Sequence, residues 1–155
     1  MPASIAMIDA ESDGRLAEEL DVEVPADWPP EHHDADTLCF TRSALEDPRG
    51  AGWWLHYVVV TDAPCPGLAG VTGFKGPPID GSVEIGYSIV PSWQRRGLAT
   101  EAVRTLVRMA WDRDAEVVCA HTLPHLVPSI GVLRKLRFEP AEAPKPGVLA
   151  FELRR

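Results

Sequence analysis

The residues from Val90 to Thr100, in the order VPSWQRRGLAT, form the sharpest chemical feature of the chain. A strand-like stretch ends at Val90, a short loop follows, and a long helical pattern begins at Gly97. The first N–H groups of a helix have no partner within it and lie at the positive end of its dipole, so they bind anions well. Glycine lets the backbone approach a ligand closely, and Arg95 and Arg96 add charge-assisted contacts. The junction predicts a site for a phosphate-bearing ligand. The residues alone leave open an ordinary helix start with two surface arginines.

The cysteines and a His/Asp-rich segment could in principle bind a metal or form disulfides, but their spacing fits neither kind of site. The three cysteines, Cys39, Cys65 and Cys119, are widely separated and match neither a metal site nor a disulfide framework. The segment His32–Asp36 (HHDAD) matches no zinc pattern, and a polar loop is the simpler interpretation. We therefore predict no metal and no cysteine nucleophile.

The charge of the chain is concentrated at its beginning. The net charge is −8, and residues 1–36 hold eleven acidic residues against the single base Arg15, which gives −10 for that segment and +2 for the rest. An acidic chain argues against nonspecific nucleic-acid binding, which needs a basic face. The acidic segment is either a solvated face that aids solubility or a wall that attracts a cationic substrate.

The elements that must position the junction are predicted from hydrophobic periodicity. Val83–Val90 (VEIGYSIV) alternates as a strand, and Gly97–Arg113 repeats apolar residues as one face of a helix. A strand, a helix and a further strand imply a crossover connection and an α/β fold. The other predicted elements are helices at Glu11–Asp21, Thr37–Leu45 and Val127–Leu136, strands at Trp54–Thr61, Leu68–Lys75, Glu116–Thr122 and Val148–Leu153, and a turn at Asp62–Gly67.

The size and composition of the chain favour one globular domain. Its 155 residues suit a single core spanning 1–155, and 45% of them are hydrophobic. The apolar runs are far too short for a membrane span, and the first residues lack the pattern of a secretion signal. We therefore expect a cytoplasmic protein with no membrane partner.

Val83–Phe138 as a whole resembles the acetyl-CoA-binding half of the GNAT N-acetyltransferase superfamily. Gln94–Ala99 (QRRGLA) is similar to that family's Q/R-x-x-G-x-G/A loop, and Ala120–Phe138 resembles the ribosomal-protein-acetyltransferase-like branch. The resemblance implies a central, twisted, mostly antiparallel sheet that splays apart at the CoA site and carries helices on both faces. It also implies acetyl-CoA as co-substrate, no metal, a CoA-binding half at 83–138 and a helical acceptor-side segment at 1–50.

The resemblance implies a role for individual positions. Backbone groups at Ile89 and Val90 would receive the pantetheine and the thioester carbonyl. The pyrophosphate would be held by six consecutive residues, Arg95, Arg96, Gly97, Leu98, Ala99 and Thr100. Two positions depart from the family pattern: Leu126 stands where the branch carries asparagine, which puts one pantetheine hydrogen bond in doubt, and Arg137 stands where it carries glycine. If that glycine has a positive φ, Arg137 must adopt a strained backbone. No strand is evident before Glu11, so the sheet either lacks its usual edge strand or gains a short one from Ile5–Ile8.

Acyl transfer to an amine needs a proton acceptor, a donor that stabilises the carbonyl oxygen, and a way for the thiolate to leave. Glu84 is the candidate base by similarity, with a strand glutamate that pairs with an arginine as the alternative. Ser129 matches the branch's serine where relatives often place an acid, although serine is also a usual helix N-cap. His121 is a further candidate base, or a structural histidine.

We therefore predict an acetyl-CoA-dependent N-acetyltransferase that acts on a primary amine by direct attack in a ternary complex. The acceptor is either a protein N-terminus, as the branch similarity suggests, or a small cationic amine, as the acidic segment suggests. A catalytically weak CoA-binding module is the alternative. The oligomeric state stays open, and a homodimer is one of the options.

Overall fold

The computed structural model describes residues 1–50, 52–62 and 65–155. It contains helices α1 (Ile5–Ser12), α2 (Leu16–Leu20), α3 (Ala35–Leu45), α4 (Leu98–Trp111) and α5 (Val127–Lys135). Its strands are β1 (Leu55–Val60), β2 (Gly67–Phe74), β3 (Ser82–Ile89), β4 (Val117–Thr122), β5 (Glu139–Ala141) and β6 (Leu149–Arg154). Short 3₁₀ turns lie at Pro48–Gly50 and Pro91–Trp93.

The six strands form one sheet in the order β1-β2-β3-β4-β6-β5. Every neighbouring pair is antiparallel except β3 and β4. These two are parallel because α4 carries the chain from the end of β3 back to the start of β4, as a parallel connection requires. The predicted fold class, a mostly antiparallel mixed sheet with helices, is confirmed.

Each face of the sheet has its own hydrophobic core. One core packs α4 and α5 residues such as Val103, Leu106 and Leu133 against Val83 and Ile85 of β3. The other packs α1 and α2 against Tyr57 and Val71 of the first two strands. β2 contributes to both cores, with Phe74 in the first and Leu68 and Val71 in the second. The helices of the first 50 residues therefore pack on one face of the sheet and α4 and α5 on the other.

The structure decides between the two possibilities for the beginning of the chain, since its first strand is β1 at Leu55–Val60. Ile5–Ile8 is not a strand but the first part of α1, because the side chain of Ser4 caps that helix by accepting from the N–H of Met7 and Ile8 faces the core. The predicted helix Glu11–Asp21 is divided into the end of α1 and α2, with Gly14 at a φ of 72° between them. Met1 and Ala3 instead hydrogen-bond to β1 through their backbones.

The remaining predicted elements need smaller changes. The strands and helices from residue 54 onward are present within a few residues of their predicted bounds. The three-residue strand β5 was not predicted, because its sequence EPA has no alternating pattern. The predicted turn Asp62–Gly67 includes residues 63 and 64, which lie outside the described residues. No helix in the described part of the chain is both long and apolar enough to cross a membrane.

Arg137 adopts the backbone conformation that the family glycine suggested. Its φ is 66°, just after α5 ends, and its N–H donates to the carbonyl of Arg134. A left-handed conformation at a residue with a Cβ atom stores roughly 1 kcal/mol of strain or more. The protein therefore keeps the left-handed turn after α5, and the strain is borne by the backbone of Arg137.

Candidate active site

Strands β3 and β4 separate part of the way along their length. The parallel ladder joins Ser82–Ile85 to Val117–Ala120 and then ends, although both strands continue. A cavity of about 1390 Å³ opens there, lined by residues of both strands, the Gln94–Thr100 junction, α5 and the N-terminal segment. The cavity runs without interruption from the start of α4 to the face of the sheet under α3, so it can accommodate two molecules that meet at the separated strands.

The predicted anion site forms one end of this cavity. Gly97 caps α4 with a φ of 84°, and a Cβ built there would meet no atom within 4 Å, so its outer side is open. The N–H groups of Leu98, Ala99 and Thr100 start the helix and lack partners within it. Arg95, also left-handed with a φ of 62°, lines the same part of the cavity. Positive charge, free N–H groups and open space fit a diphosphate.

Two of the residues predicted to contact CoA lie outside the cavity lining. Val90 is fully buried, its N–H donates to the carbonyl of Ala69, and its own carbonyl accepts from Trp93. Both backbone groups of Val90 are thus occupied within the protein. Arg96 stacks on Trp93, with its guanidinium carbon 4.5 Å from the ring centroid. We leave both out of the proposed site.

The separated strands expose backbone groups at the centre of the cavity. Because the N–H of Val90 points toward β2, alternation turns the N–H groups of Tyr87 and Ile89 to the side that β4 has left. The carbonyl of Ile89 is occupied by the side-chain amide of Gln94 at 2.9 Å. Nearby, the hydroxyl of Thr122 is buried and has no partner within the described structure. Unsatisfied donors in a cavity wall are suited to an amide-containing chain such as pantetheine.

Tyr87 and Ser129 form a pair of hydroxyl groups in the cavity wall. The phenol oxygen of Tyr87 is 3.0 Å from Oγ of Ser129 and donates to the Ser129 carbonyl at 3.1 Å. Burial raises the pKa of Tyr87, although the Ser129 hydrogen bond opposes the shift. The phenol therefore stays protonated at neutral pH. Ser129 lies inside α5, whose N-cap is Leu126 without a side-chain bond, so the interpretation of Ser129 as a cap is wrong.

Glu84 lies in a charged group on the opposite face of β3. Its Oε1 is 2.8 Å from Nζ of Lys75 and 3.1 Å from Nδ1 of His121, and its side chain is 26% exposed. Lys75 and His121 line the cavity, whereas Glu84 does not. The carboxylate is thus placed to orient His121, whose second ring nitrogen remains for the cavity.

The N-terminal segment closes the far end of the cavity. Glu31, His33 and Asp36 contribute to its lining, together with Phe40 and Trp54. The segment is also attached to the start of the anion loop, because Asp27 accepts from the N–H and the hydroxyl of Ser92 at 2.7 and 2.9 Å. The first 50 residues therefore form a wall of the same cavity that the α4 end opens into.

The possible metal ligands, Cys119 and three tryptophans occupy the following positions relative to the cavity. Within the described residues, no group of three or more His, Cys, Asp or Glu side chains is arranged to hold a metal ion. Cys119 is half-buried, and burial raises the pKa of its thiol, so it is a poor nucleophile. Trp54 and Trp93 line the cavity, whereas Trp28 lies in the N-terminal wall and bonds to Glu11.

Several of these residues could not be singled out from the sequence. The partners Tyr87 and Ser129 are 42 positions apart, and neither lies in a recognisable motif with the other. Lys75 and Thr122 likewise could not be identified as site residues, because their place in the cavity wall depends on the point at which β3 and β4 separate. Alternation did indicate that Tyr87 and Glu84 face opposite sides of β3, and that was the one available signal.

Comparison with known proteins gives the following matches. A family model described as an acetyltransferase (GNAT) domain matches residues 9–139. A ribosomal-protein-alanine N-acetyltransferase from Brucella melitensis is 19% identical with a TM-score of 0.63, and the alignment covers 100% of this chain and 98% of that one. An acetyltransferase from Bacillus subtilis in complex with CoA is 16% identical with a TM-score of 0.55, covering 65% of this chain and 76% of that one.

A putative acetyltransferase from Acinetobacter baylyi is 20% identical with a TM-score of 0.49, covering 57% of this chain. The chain spans 58% of the length of that protein. No functionally curated protein matches the sequence significantly.

Proposed function

Because this chain belongs to the GNAT acetyltransferase family and uses acetyl-CoA as its acetyl donor, we propose that it acetylates a primary amine by direct attack in a ternary complex. The observation that carries this proposal is the single continuous cavity, with an anion site at one end and an acidic wall at the other. His121, which is bonded to Glu84, and the Tyr87–Ser129 pair line the same cavity where β3 and β4 separate.

The proposed donor site uses residues from the α4 end to the separated strands. Arg95 and the N–H groups of Leu98, Ala99 and Thr100 bind the pyrophosphate, and Gly97 leaves room for it. The N–H of Ile89 donates to the acyl carbonyl or the adjacent amide chain. Thr122 supplies the hydrogen bond that asparagine would make where this protein has Leu126. Acetyl-CoA supplies the activated acyl group, whose C–S bond breaks as the C–N bond forms.

Proton removal from the amine is assigned to His121 with Glu84 as its positioning residue. The Nδ1–H of His121 donates to Glu84, which fixes the tautomer and leaves Nε2 as a proton acceptor for the cavity. Lys75 pairs with the same carboxylate oxygen at 2.8 Å and helps to hold the carboxylate in place beside His121. Glu84 keeps the catalytic contribution predicted from the sequence, but it acts through the histidine.

Proton delivery to the departing sulfur is assigned to the Tyr87–Ser129 pair. The thiol that corresponds to the leaving thiolate has a reference pKa of about 8.5, so the thiolate can leave unaided. A nearby proton donor makes its departure easier. Both hydroxyls line the cavity, and the one that donates its proton to the sulfur regains a proton from the solvent that fills the cavity after the products leave. The pair supplies the hydroxyl that relatives place on a tyrosine at the later helix. That removes one reason for the alternative of a catalytically weak CoA-binding module.

Two classes of acceptor fit the proposal. The fold similarity to a ribosomal-protein-alanine N-acetyltransferase supports a protein N-terminus. The acidic residues at the far end of the cavity, Glu31 and Asp36, support a small cationic amine.

The test is release of free thiol from acetyl-CoA in the presence of a panel of amines and N-terminal peptides. His121→Ala should lower turnover about 100-fold, the usual size of a general-base contribution, with acetyl-CoA binding intact. Glu84→Gln should lower it less, and the double variant should be no slower than His121→Ala because the two residues act as one unit.

Glu152→Gln is the matched control, since Glu152 is a strand glutamate of similar exposure paired with Arg154 and it does not line the cavity. Its turnover should equal that of the unaltered protein. Undiminished turnover in Glu84→Gln would exclude Glu84. Effects that multiply in the double variant would mean that Glu84 acts directly and not through His121.

A further inference from the structure

A primary amine of the protein itself lies at the proposed reaction centre. Among the described residues that line the large cavity, Lys75 is the one whose side chain carries such an amine. Its Nζ is 2.8 Å from Oε1 of Glu84, the same oxygen that lies 3.1 Å from Nδ1 of His121. The amine of Lys75 and the proposed base His121 therefore contact the same carboxylate atom.

The register of the sheet places Lys75 beside Glu84. Lys75 directly follows β2, and its backbone N–H donates to the carbonyl of Glu84 at 2.9 Å. The preceding pair of this ladder, Phe74 and Ile85, lies in the core under α4. Because successive side chains of a strand point to opposite faces, Lys75 and Glu84 share the other face of the sheet. The ion pair is thus fixed by the pairing of β2 with β3.

The end of the Lys75 side chain reaches the point at which β3 and β4 separate. A Cβ atom built on Gly86 would lie 3.9 Å from Cε of Lys75. Gly86 lines the cavity and is the first residue of β3 beyond the ladder with β4, which ends at Ile85 and Ala120. Because glycine has no side chain, the Lys75 stem lies over the backbone there. Its amine is therefore at the opening where the proposed thioester meets an acceptor.

The Lys75 amine is accessible and free to turn. The side chain is 62% exposed, and an ion pair at such an exposure is weak, so Nζ exchanges readily between Glu84 and the cavity. The stem of a lysine is flexible, and its amine can act as a nucleophile once it is neutral. Nζ can thus turn from Glu84 toward an acyl carbon bound at the separated strands while the backbone stays in place.

We propose that Lys75 is a self-acetylation site, to which the protein transfers the acetyl group of its own bound acetyl-CoA. This rests on the proposed function, since it uses the same acetyl donor and the same Glu84–His121 pair. It differs from that function in needing no acceptor from outside the chain.

The groups around Lys75 account for every bond and proton of the transfer. The ammonium of Lys75 gives one proton to Glu84, and the neutral amine attacks the acyl carbon. The C–N bond forms as the C–S bond breaks, and the nitrogen loses a second proton to His121. The departing thiolate takes up one proton, and one passes to solvent. The products are an amide at Nζ of Lys75 and free CoA thiol.

The chain supplies two internal controls for this reaction. It contains three lysines, and the other two, Lys135 and Lys145, are exposed. They line neither the large cavity nor a second one of about 490 Å³ between α1 and α3. They therefore report the uncatalysed reaction of an exposed amine with acetyl-CoA. Acetyl-CoA carrying an isotope-labelled acetyl group, followed by mass spectrometry of the digested protein, gives all three rates in one sample.

Lys75 should acquire label about 100-fold faster than Lys135 and Lys145, the usual size of a general-base contribution. Its rate should saturate with acetyl-CoA and be independent of protein concentration, because one chain holds both donor and acceptor. Excess free CoA should slow labelling of Lys75 alone. Glu84→Gln should lower the Lys75 rate about tenfold or more and leave the other two unchanged. The matched control Glu152→Gln should leave all three rates unchanged.

Three results would overturn the assignment: labelling of Lys75 no faster than that of Lys135 and Lys145, a Lys75 rate that rises with protein concentration, or one that free CoA does not slow. The amine panel distinguishes this inference from the proposed function. A labelled Lys75 with no amine acetylated supports self-acetylation and removes the outside acceptor. Acetylated amines with an unlabelled Lys75 overturn self-acetylation alone. If neither is acetylated, both fail.

Discussion

Substitution of Gly97 by valine tests the anion end of the cavity on its own. Gly97 has a φ of 84° and caps α4, and the space that a Cβ would enter holds no protein atom within 4 Å. In the free protein, a side chain there meets only backbone strain. In the proposed complex it would occupy the space through which the pyrophosphate reaches the N–H groups of Leu98, Ala99 and Thr100.

The expected loss follows from the bonds that the side chain blocks. Charge-assisted hydrogen bonds contribute about 1.5 kcal/mol or more each, so blocking two of them costs about 3 kcal/mol. Since 1.4 kcal/mol corresponds to a tenfold change, Kd for acetyl-CoA should rise roughly 100-fold. The free energy of unfolding should fall by about 2 kcal/mol, because a β-branched residue is forced into the left-handed region.

Gly14→Val separates the two effects. Gly14 has a φ of 72°, a Cβ atom placed on it would likewise meet no atom within 4 Å, and it lines neither cavity. Both variants should be destabilised to a similar extent in thermal unfolding, but only Gly97→Val should lose affinity in a calorimetric titration. Unchanged affinity in Gly97→Val, or equal losses in both variants, would refute the placement of the pyrophosphate.

Three further outcomes are expected. Arg137→Gly should raise the free energy of unfolding by about 1 kcal/mol in urea titrations, because it relieves a left-handed backbone, and a decrease would contradict that account. Asp27→Ala should accelerate amide hydrogen exchange at Ser92, whose N–H it leaves unbonded; unchanged exchange would mean that the contact holds nothing in place. Because the folded-state pKa of Glu11 lies below its usual value of 4.5, its stabilisation is fully present above pH 4.5 and is lost as the pH falls through the folded-state pKa. Glu11→Gln should flatten stability against pH in that acidic range, and a curve as steep as the original would count against an ionised Glu11.

The sequence predicted those parts of the fold and site that depend on neighbouring residues. The Val90–Thr100 junction was found because a strand, a loop and an amphipathic helix follow one another directly, and the left-handed Arg137 followed from a departure within a short family motif. Short apolar runs such as Ile5–Ile8 fit a strand and a helix equally well. Ile5–Ile8 forms a helix because Ser4 caps it and because the helix buries Ile8.

Contacts between distant segments could not be predicted in this way. Glu11, Trp28, His33 and Tyr57 come from four different elements and loops, and only packing shows that one carboxylate joins them. The same holds for Glu84 and His121, where the sequence suggested each as a base but did not show that one orients the other. The point at which β3 leaves β4 is likewise a property of the sheet and not of either strand.

The most direct test of the account is a calorimetric titration of the purified protein with acetyl-CoA, with ADP as the comparison ligand. The cavity that joins the anion site to the separated strands predicts binding of one acetyl-CoA per chain, far tighter than that of ADP, because pantetheine and acyl contacts at Ile89 and Thr122 add to those of the phosphates. No binding, or equal binding of ADP, would contradict the claim that this cavity is an acetyl-CoA site.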